Sequence, residues 1–191
     1  MKRLPFLFVF LVIASRAFPA ELKILGGVCL SRSTEPVQGP VFDYYYKPVY
    51  GAGVMFGGGV EFNLAPRIAL EIDALFIQKG SRIEMRYDDE VVDLTRVRVN
   101  ELSFPAFFRF SYRRGTSPYV LGGGELAVVL AKDARAIDYG LVFGVGYRKQ
   151  MHSVLLTLEG RYHHGLQDTN RGPHVELRRM RALAFLVGVS I

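Results

Sequence analysis

The sequence predicts an all-β chain closed into an eight-stranded antiparallel up-and-down transmembrane β-barrel. Three observations lead there. Apolar residues recur with a period of two along almost the whole chain after residue 20, the alternating stretches number eight, and the connections between them alternate between long and short.

The chain opens with Lys2 and Arg3, continues through an apolar run from Phe6 to Ala14, and reaches small residues near Ala17 and Ala20. This is the pattern of a secretory signal peptide. Its apolar run is well short of the roughly 20 residues that a spanning helix needs. Cleavage after Ala17 and cleavage after Ala20 both fit. The expected layout is a signal peptide over 1–20 and one barrel domain over 21–191.

The first strand sets Leu22, Ile24, Gly26, Val28 and Leu30 on one face, with Cys29 on the other. The second covers residues 52–64 and turns at Ala65-Pro66. The third sets Ile68, Leu70, Ile72, Ala74 and Phe76 against Glu71 and Asp73, which share a face. The fourth alternates Leu102, Phe104, Ala106, Phe108 and Phe110 with Glu101, Ser103 and Arg109. A short turn follows over 113–117. The fifth places Val120, Leu126 and Val128 opposite Leu121, Gly123 and Glu125. The sixth places Tyr139, Leu141, Phe143 and Val145 opposite Asp138, Val142 and Arg148. The seventh sets Val154, Leu156, Leu158 and Tyr162 against Glu159, Arg161 and His163, and the eighth runs over 181–191 with Leu183, Phe185 and Val187 on its apolar face.

Residues 32–49, 80–100 and 165–178 read as long loops, residues 131–137 as a modest one, and the remaining connections as tight turns. One rim is trimmed and the other elaborated, as expected of an outer-membrane barrel with periplasmic turns and longer outside loops.

Alternation fits both a membrane barrel and a soluble barrel with an apolar interior, so volume has to decide. An eight-stranded barrel has an interior just wide enough for side chains to fill. One face carries Phe, Leu, Ile, Val and Tyr on every strand and is too bulky to be enclosed, whereas the other is rich in Gly, Ala and Ser. The second face belongs inside. It also holds Glu61, Glu71, Asp73, Glu101, Glu125, Asp138 and Glu159 together with Arg109, Arg148 and Arg161, so opposite charges can pair in the lumen. An Arg or Lys on the lipid side near mid-membrane would cost about 2–4 kcal/mol. Phe62, Tyr112 and Tyr147 towards the short turns, and Phe104, Tyr139 and Tyr162 towards the long loops, are placed for two interfacial girdles.

Composition narrows the function. The 24 Lys+Arg exceed the 18 Asp+Glu by a net +6, and loss of Lys2, Arg3 and Arg16 with the signal leaves about +3, too mild to argue for nucleic acid. A single cysteine, Cys29, forms no internal disulfide and no thiolate zinc site.

Four segments carry a family likeness: residues 70–80 (LEIDALFIQKG), 102–110 (LSFPAFFRF), 118–124 (PYVLGGG) and 138–146 (DYGLVFGVG). With them the chain resembles the small outer-membrane β-barrel proteins, most of all the PorT-type outer membrane protein beta-barrel group, and more broadly OmpX and the OmpA barrel. The resemblance implies a membrane-embedded scaffold in the outer membrane of a Gram-negative cell with no shared catalytic set. Such proteins usually end in an aromatic residue, and here Ile191 stands instead.

The glycine triplets 57–59 and 122–124 lie within strands and read as close-approach sites in the wall rather than phosphate loops. His163, His164, Asp168 and His174 sit at or beyond the outer end of the seventh strand, where a lipid-A-modifying enzyme would need a His base, but no Ser stands beside them. The expected protein is a non-enzymatic monomer without cofactor, metal or catalytic residues, with a filled lumen, contacting outer-membrane lipid. Its role is structural, secretion-associated or one of binding a protein partner through the outside loops. Tyr44, Tyr45 and Tyr46 in the loop over 32–49 are the candidate contact. The competing readings are the lipid-A enzyme and a secreted soluble barrel holding an apolar ligand.

Overall fold

The computed structural model of the chain describes residues 20–33, 44–87, 90–113, 115–130, 137–166 and 180–191. Among these, eight strands follow one another in the order β1 Ala20–Ser33, β2 Tyr44–Ala65, β3 Ile68–Tyr87, β4 Glu90–Ser111, β5 Ser117–Val129, β6 Ile137–Met151, β7 Val154–Gly165 and β8 Met180–Ser190. Each pairs antiparallel with its sequence neighbours. β1 also pairs with β8, from Lys23 opposite Ser190 to Ser33 opposite Met180, so the sheet closes without edges around the barrel. All of these features agree with the expected all-β, eight-stranded barrel.

The turns explain the short connections. Pro66 and Arg67 join β2 to β3, and His152 and Ser153 join β6 to β7. His152 adopts a φ of 54° and Gly115, in the β4–β5 turn, a φ of 72°. The left-handed region suits glycine and is several-fold enriched in His among other residues.

Burial alternates with the pleat. Along β8 every second residue from Met180 to Ser190 is buried, while Leu183, Phe185, Val187 and Val189 are exposed. The outward set recurs on all eight strands, with Ile24 at 74 %, Phe108 at 49 % and Leu158 at 59 % exposure. Only contact with lipid makes so continuous an apolar exterior stable, because in water it would far exceed the patches that soluble monomers expose. One rim aromatic departs from its parity. Phe62 is buried at 5 %, where the β2–β3 register shifts between Asn63 and Ala65 and strict alternation lapses.

Two expected loops are strands instead. Tyr44, Tyr45 and Tyr46 belong to β2 and pair with Tyr87, Arg86 and Met85 of β3. Most of the segment over 80–100 continues the β3–β4 hairpin up to the pair Tyr87 and Glu90. The reason is physical. Above the lipid a strand needs no apolar face, so the alternation of Arg82, Glu84 and Arg86 with Ser81, Ile83 and Met85 persists as a pleat without a membrane signature. Pro48 pairs with Ile83 of β3, above Gly51, the last residue of β2 with a described β1 partner. A membrane crossing takes about 9–11 tilted residues, so β2, β3 and β4, with 22, 20 and 22 residues, rise as a three-stranded sheet beyond the other five.

Candidate functional site

The inward face of the strands carries the chemistry. At the short-turn end, Arg109 of β4 grips both carboxylate oxygens of Glu61 of β2, and Arg148 of β6 reaches the same carboxylate from a different strand. Arg148 also lies 3.5 Å from Glu21. Deeper in, Arg161 of β7 contacts Asp73 at 2.7 Å, Glu71 at 3.2 Å and Glu159 at 2.5 Å. Lys23 of β1 donates to Glu71 at 2.7 Å and pairs with Glu159, and the Tyr119 hydroxyl donates to Glu159 at 2.7 Å. The Arg161 guanidinium lies 4.7 Å from the Phe107 ring centroid, within cation–π range.

Lys23, Arg109, Arg148 and Arg161 thus face Glu61, Glu71, Asp73 and Glu159, equal in formal charge and buried to 6 % exposure or less. Balance of this kind is what buried ions require, since removing one partner leaves the other uncompensated at a cost of several kcal/mol.

A second polar group lies towards the long-loop end. Lys79 pairs with Glu101, Ser103 donates to Glu125 at 2.9 Å, and His163 Nδ1 is 2.9 Å from the same Glu125 oxygen. Asp138 is buried nearby at 4 % exposure. Between the two groups the interior is apolar. Leu75 and Ile77 separate Asp73 from Lys79 on β3, and Leu121 separates Tyr119 from Glu125 on β5.

Glycines make room for these side chains. A Cβ on Gly59 would collide with the Asp73 carboxylate, one on Gly146 with the Tyr119 ring, and one on Gly123 would stand 2.5 Å from the Phe107 Cα.

All ten charged residues expected on the inner wall are buried and inward-facing, and each except Asp138 has a salt-bridge partner within 4.0 Å. Sequence reasoning missed Lys23, Lys79, Tyr119 and His163 as members, although their parity on β1, β3, β5 and β7 is the inward one. It also took the inner face as small, whereas Phe107, Tyr119, Met55 and Leu186 occupy it. His163 and His164 fall on opposite sides of the wall. His163 is buried, and His164 is half-buried with its ring nitrogen 3.4 Å from the Tyr162 hydroxyl. Asp168 and His174 lie outside the described residues. Among the described residues no cluster of three or more His, Cys, Asp or Glu could hold a metal ion.

A family model described as outer membrane protein beta-barrel domain matches residues 21–134. The chain belongs to this outer-membrane β-barrel family. The protein is therefore an outer-membrane β-barrel, in keeping with the lipid-facing exterior. Two solved structures share the fold. OprG from Pseudomonas aeruginosa superposes with a TM-score of 0.58 at 9% identity, over 90% of this chain and 94% of that one. AlkL, solved by solid-state NMR in DMPC lipid bilayers, gives a TM-score of 0.57 at 15% identity, over 90% of this chain and 88% of that one. No curated protein matches the sequence.

Proposed function

We propose that this outer-membrane barrel is a non-catalytic monomer whose lumen is filled by its own side chains and which acts through the sheet it raises above the long-loop rim. The observation that carries this reading is the layered interior, with two ion-paired groups separated by Leu75, Ile77 and Leu121, all buried at 5 % exposure or less. Eight strands leave space for side chains and not for an aqueous channel. His163, enclosed against Glu125, is a structural member of the upper group rather than a lipid-facing base.

The raised sheet then offers the contact with a protein partner. Val91, Val92 and Leu94 are 50 %, 56 % and 41 % exposed on β4, and Tyr44, Tyr45 and Tyr46 stand on β2 two strands away. A structural or secretion-associated role of PorT type fits the same scaffold. The signal peptide over 1–20 belongs to this proposal, and cleavage after Ala17 leaves the whole of β1 in the mature chain.

Recording current across a planar bilayer containing the refolded protein tests the filled lumen. The expected trace is flat under applied voltage, and discrete open-channel steps would refute the reading.

A further inference from the structure

The short-turn mouth contains a cavity of about 360 Å³ that the ion-pair network does not use up. Arg67, Arg109, Arg113 and Arg148 line it, with Glu21 as its acidic wall. Arg109 and Arg148 share one carboxylate, that of Glu61. Arg67 and Arg113 are exposed, and neither has an acidic partner within 4.0 Å among the described residues. Arg109 and Arg148 already belong to the balanced set of four cations and four carboxylates, and Arg109 also lies 3.8 Å from Glu71, so Arg67 and Arg113 stand against Glu21 alone, a surplus of one positive charge. The buried Nε atoms of Arg109 and Arg148 also lack hydrogen-bond partners among the described residues.

We infer that this mouth is a binding site for a phosphate group. Planar guanidinium forks match phosphate oxygens in pairs, and the volume lies at the small end of the range of roughly 300–1,000 Å³ for ligand pockets. A phosphate group has oxygens enough to meet Arg67 and Arg113 together, whereas a single carboxylate has only one pair to give. Glu21, held by Asn63 Nδ2 at 3.2 Å, repels an anion from one side and steers it towards Arg67 and Arg113. The site is distinct from the raised sheet, since it opens at the opposite end of the barrel, on the side of the short turns that face the periplasm in such proteins.

The test is calorimetric titration of the full-length barrel in phosphatidylcholine nanodiscs with inorganic phosphate, and separately incorporation into nanodiscs doped with phosphatidic acid. Saturable binding is expected to weaken about tenfold or more in the Arg67→Gln/Arg113→Gln double variant, whose changes are on the surface and leave the buried pairs intact. Arg82→Gln, on the raised part of β3, is expected to leave affinity unchanged. Saturation by free phosphate identifies a soluble phosphate compound as the ligand, and enrichment of phosphatidic acid around the parent but not around the double variant in doped discs, without binding of free phosphate, identifies a lipid headgroup. Binding in neither arm overturns the site. Equal loss in Arg82→Gln, or no loss in the double variant, overturns it too, because the attraction would then be that of net charge alone.

Discussion

Arg161 of β7 and Asp73 of β3 meet at 2.7 Å inside the barrel although 88 residues separate them in sequence. The pair ties two strands that share no ladder, and Glu71 and Glu159 complete the shell around the same guanidinium. Removing the cation alone should therefore be worse than removing it together with Asp73. Arg161→Met is expected to destabilise the barrel by about 3–5 kcal/mol. Adding Asp73→Asn alone, which restores the balance of charge while Lys23 keeps Glu71 and Glu159, should recover much of that loss. Urea unfolding in lipid vesicles measures both, and equal stability of Arg161→Met and the parent would show that the network contributes nothing.

The position of the lipid is testable with arginine. Phe108→Arg and Leu156→Arg place a charge on the exposed outer face within the barrel, where the penalty should be about 2–4 kcal/mol. Leu94→Arg, on the raised part of β4, should shift stability by about 0.5 kcal/mol or less, as surface substitutions do. Comparing unfolding midpoints and the mobility difference between boiled and unboiled samples reads out the contrast. Similar penalties at all three sites would move the bilayer boundary.

Two adjacent glycines should differ sharply. Gly123→Ala pushes a methyl group against the Phe107 backbone and should destabilise by about 1–3 kcal/mol, as overpacking does. Gly122→Ala meets nothing closer than 3.5 Å, at Phe143, and should be close to neutral. If the two alanine variants unfold together, the close approach of β4 and β5 is not what requires glycine here.

A histidine enclosed in a barrel should not process lipid. Mass spectra of lipid A from cells carrying the parent, His163→Ala and His164→Ala proteins are expected to be the same. A modification present with the parent and absent with either variant would restore the enzyme reading.

The eight strands are legible in the sequence because each residue inside the membrane faces either lipid or a packed interior, and those surroundings demand opposite side chains. Leu102 to Phe110 shows this with bulky residues at every even position but Ala106. Above the bilayer that demand lapses, so the upper ends of β2 and β3 and the upper half of β4 read as loops. Which carboxylate meets which guanidinium was equally hidden, because Arg161 reaches Asp73 only through the stagger of strands around a closed cylinder, a property of the whole ring. Lys79 was overlooked for a different reason. It ends the apolar run of β3 and looks like a boundary charge until Glu101 is brought opposite.

The unequal strand lengths give the molecule a front and a back. At about 3.3 Å per residue, residues 90–100 of β4 extend up to roughly 35 Å along their own direction, more than the headgroup layer occupies on either side of the hydrocarbon. Among the described residues the rise comes from three of the eight strands, like the backrest of a chair. Anything diffusing laterally in the membrane would encounter that wall from a single azimuth, so rotational orientation in the plane, and not only affinity, decides whether an encounter is productive.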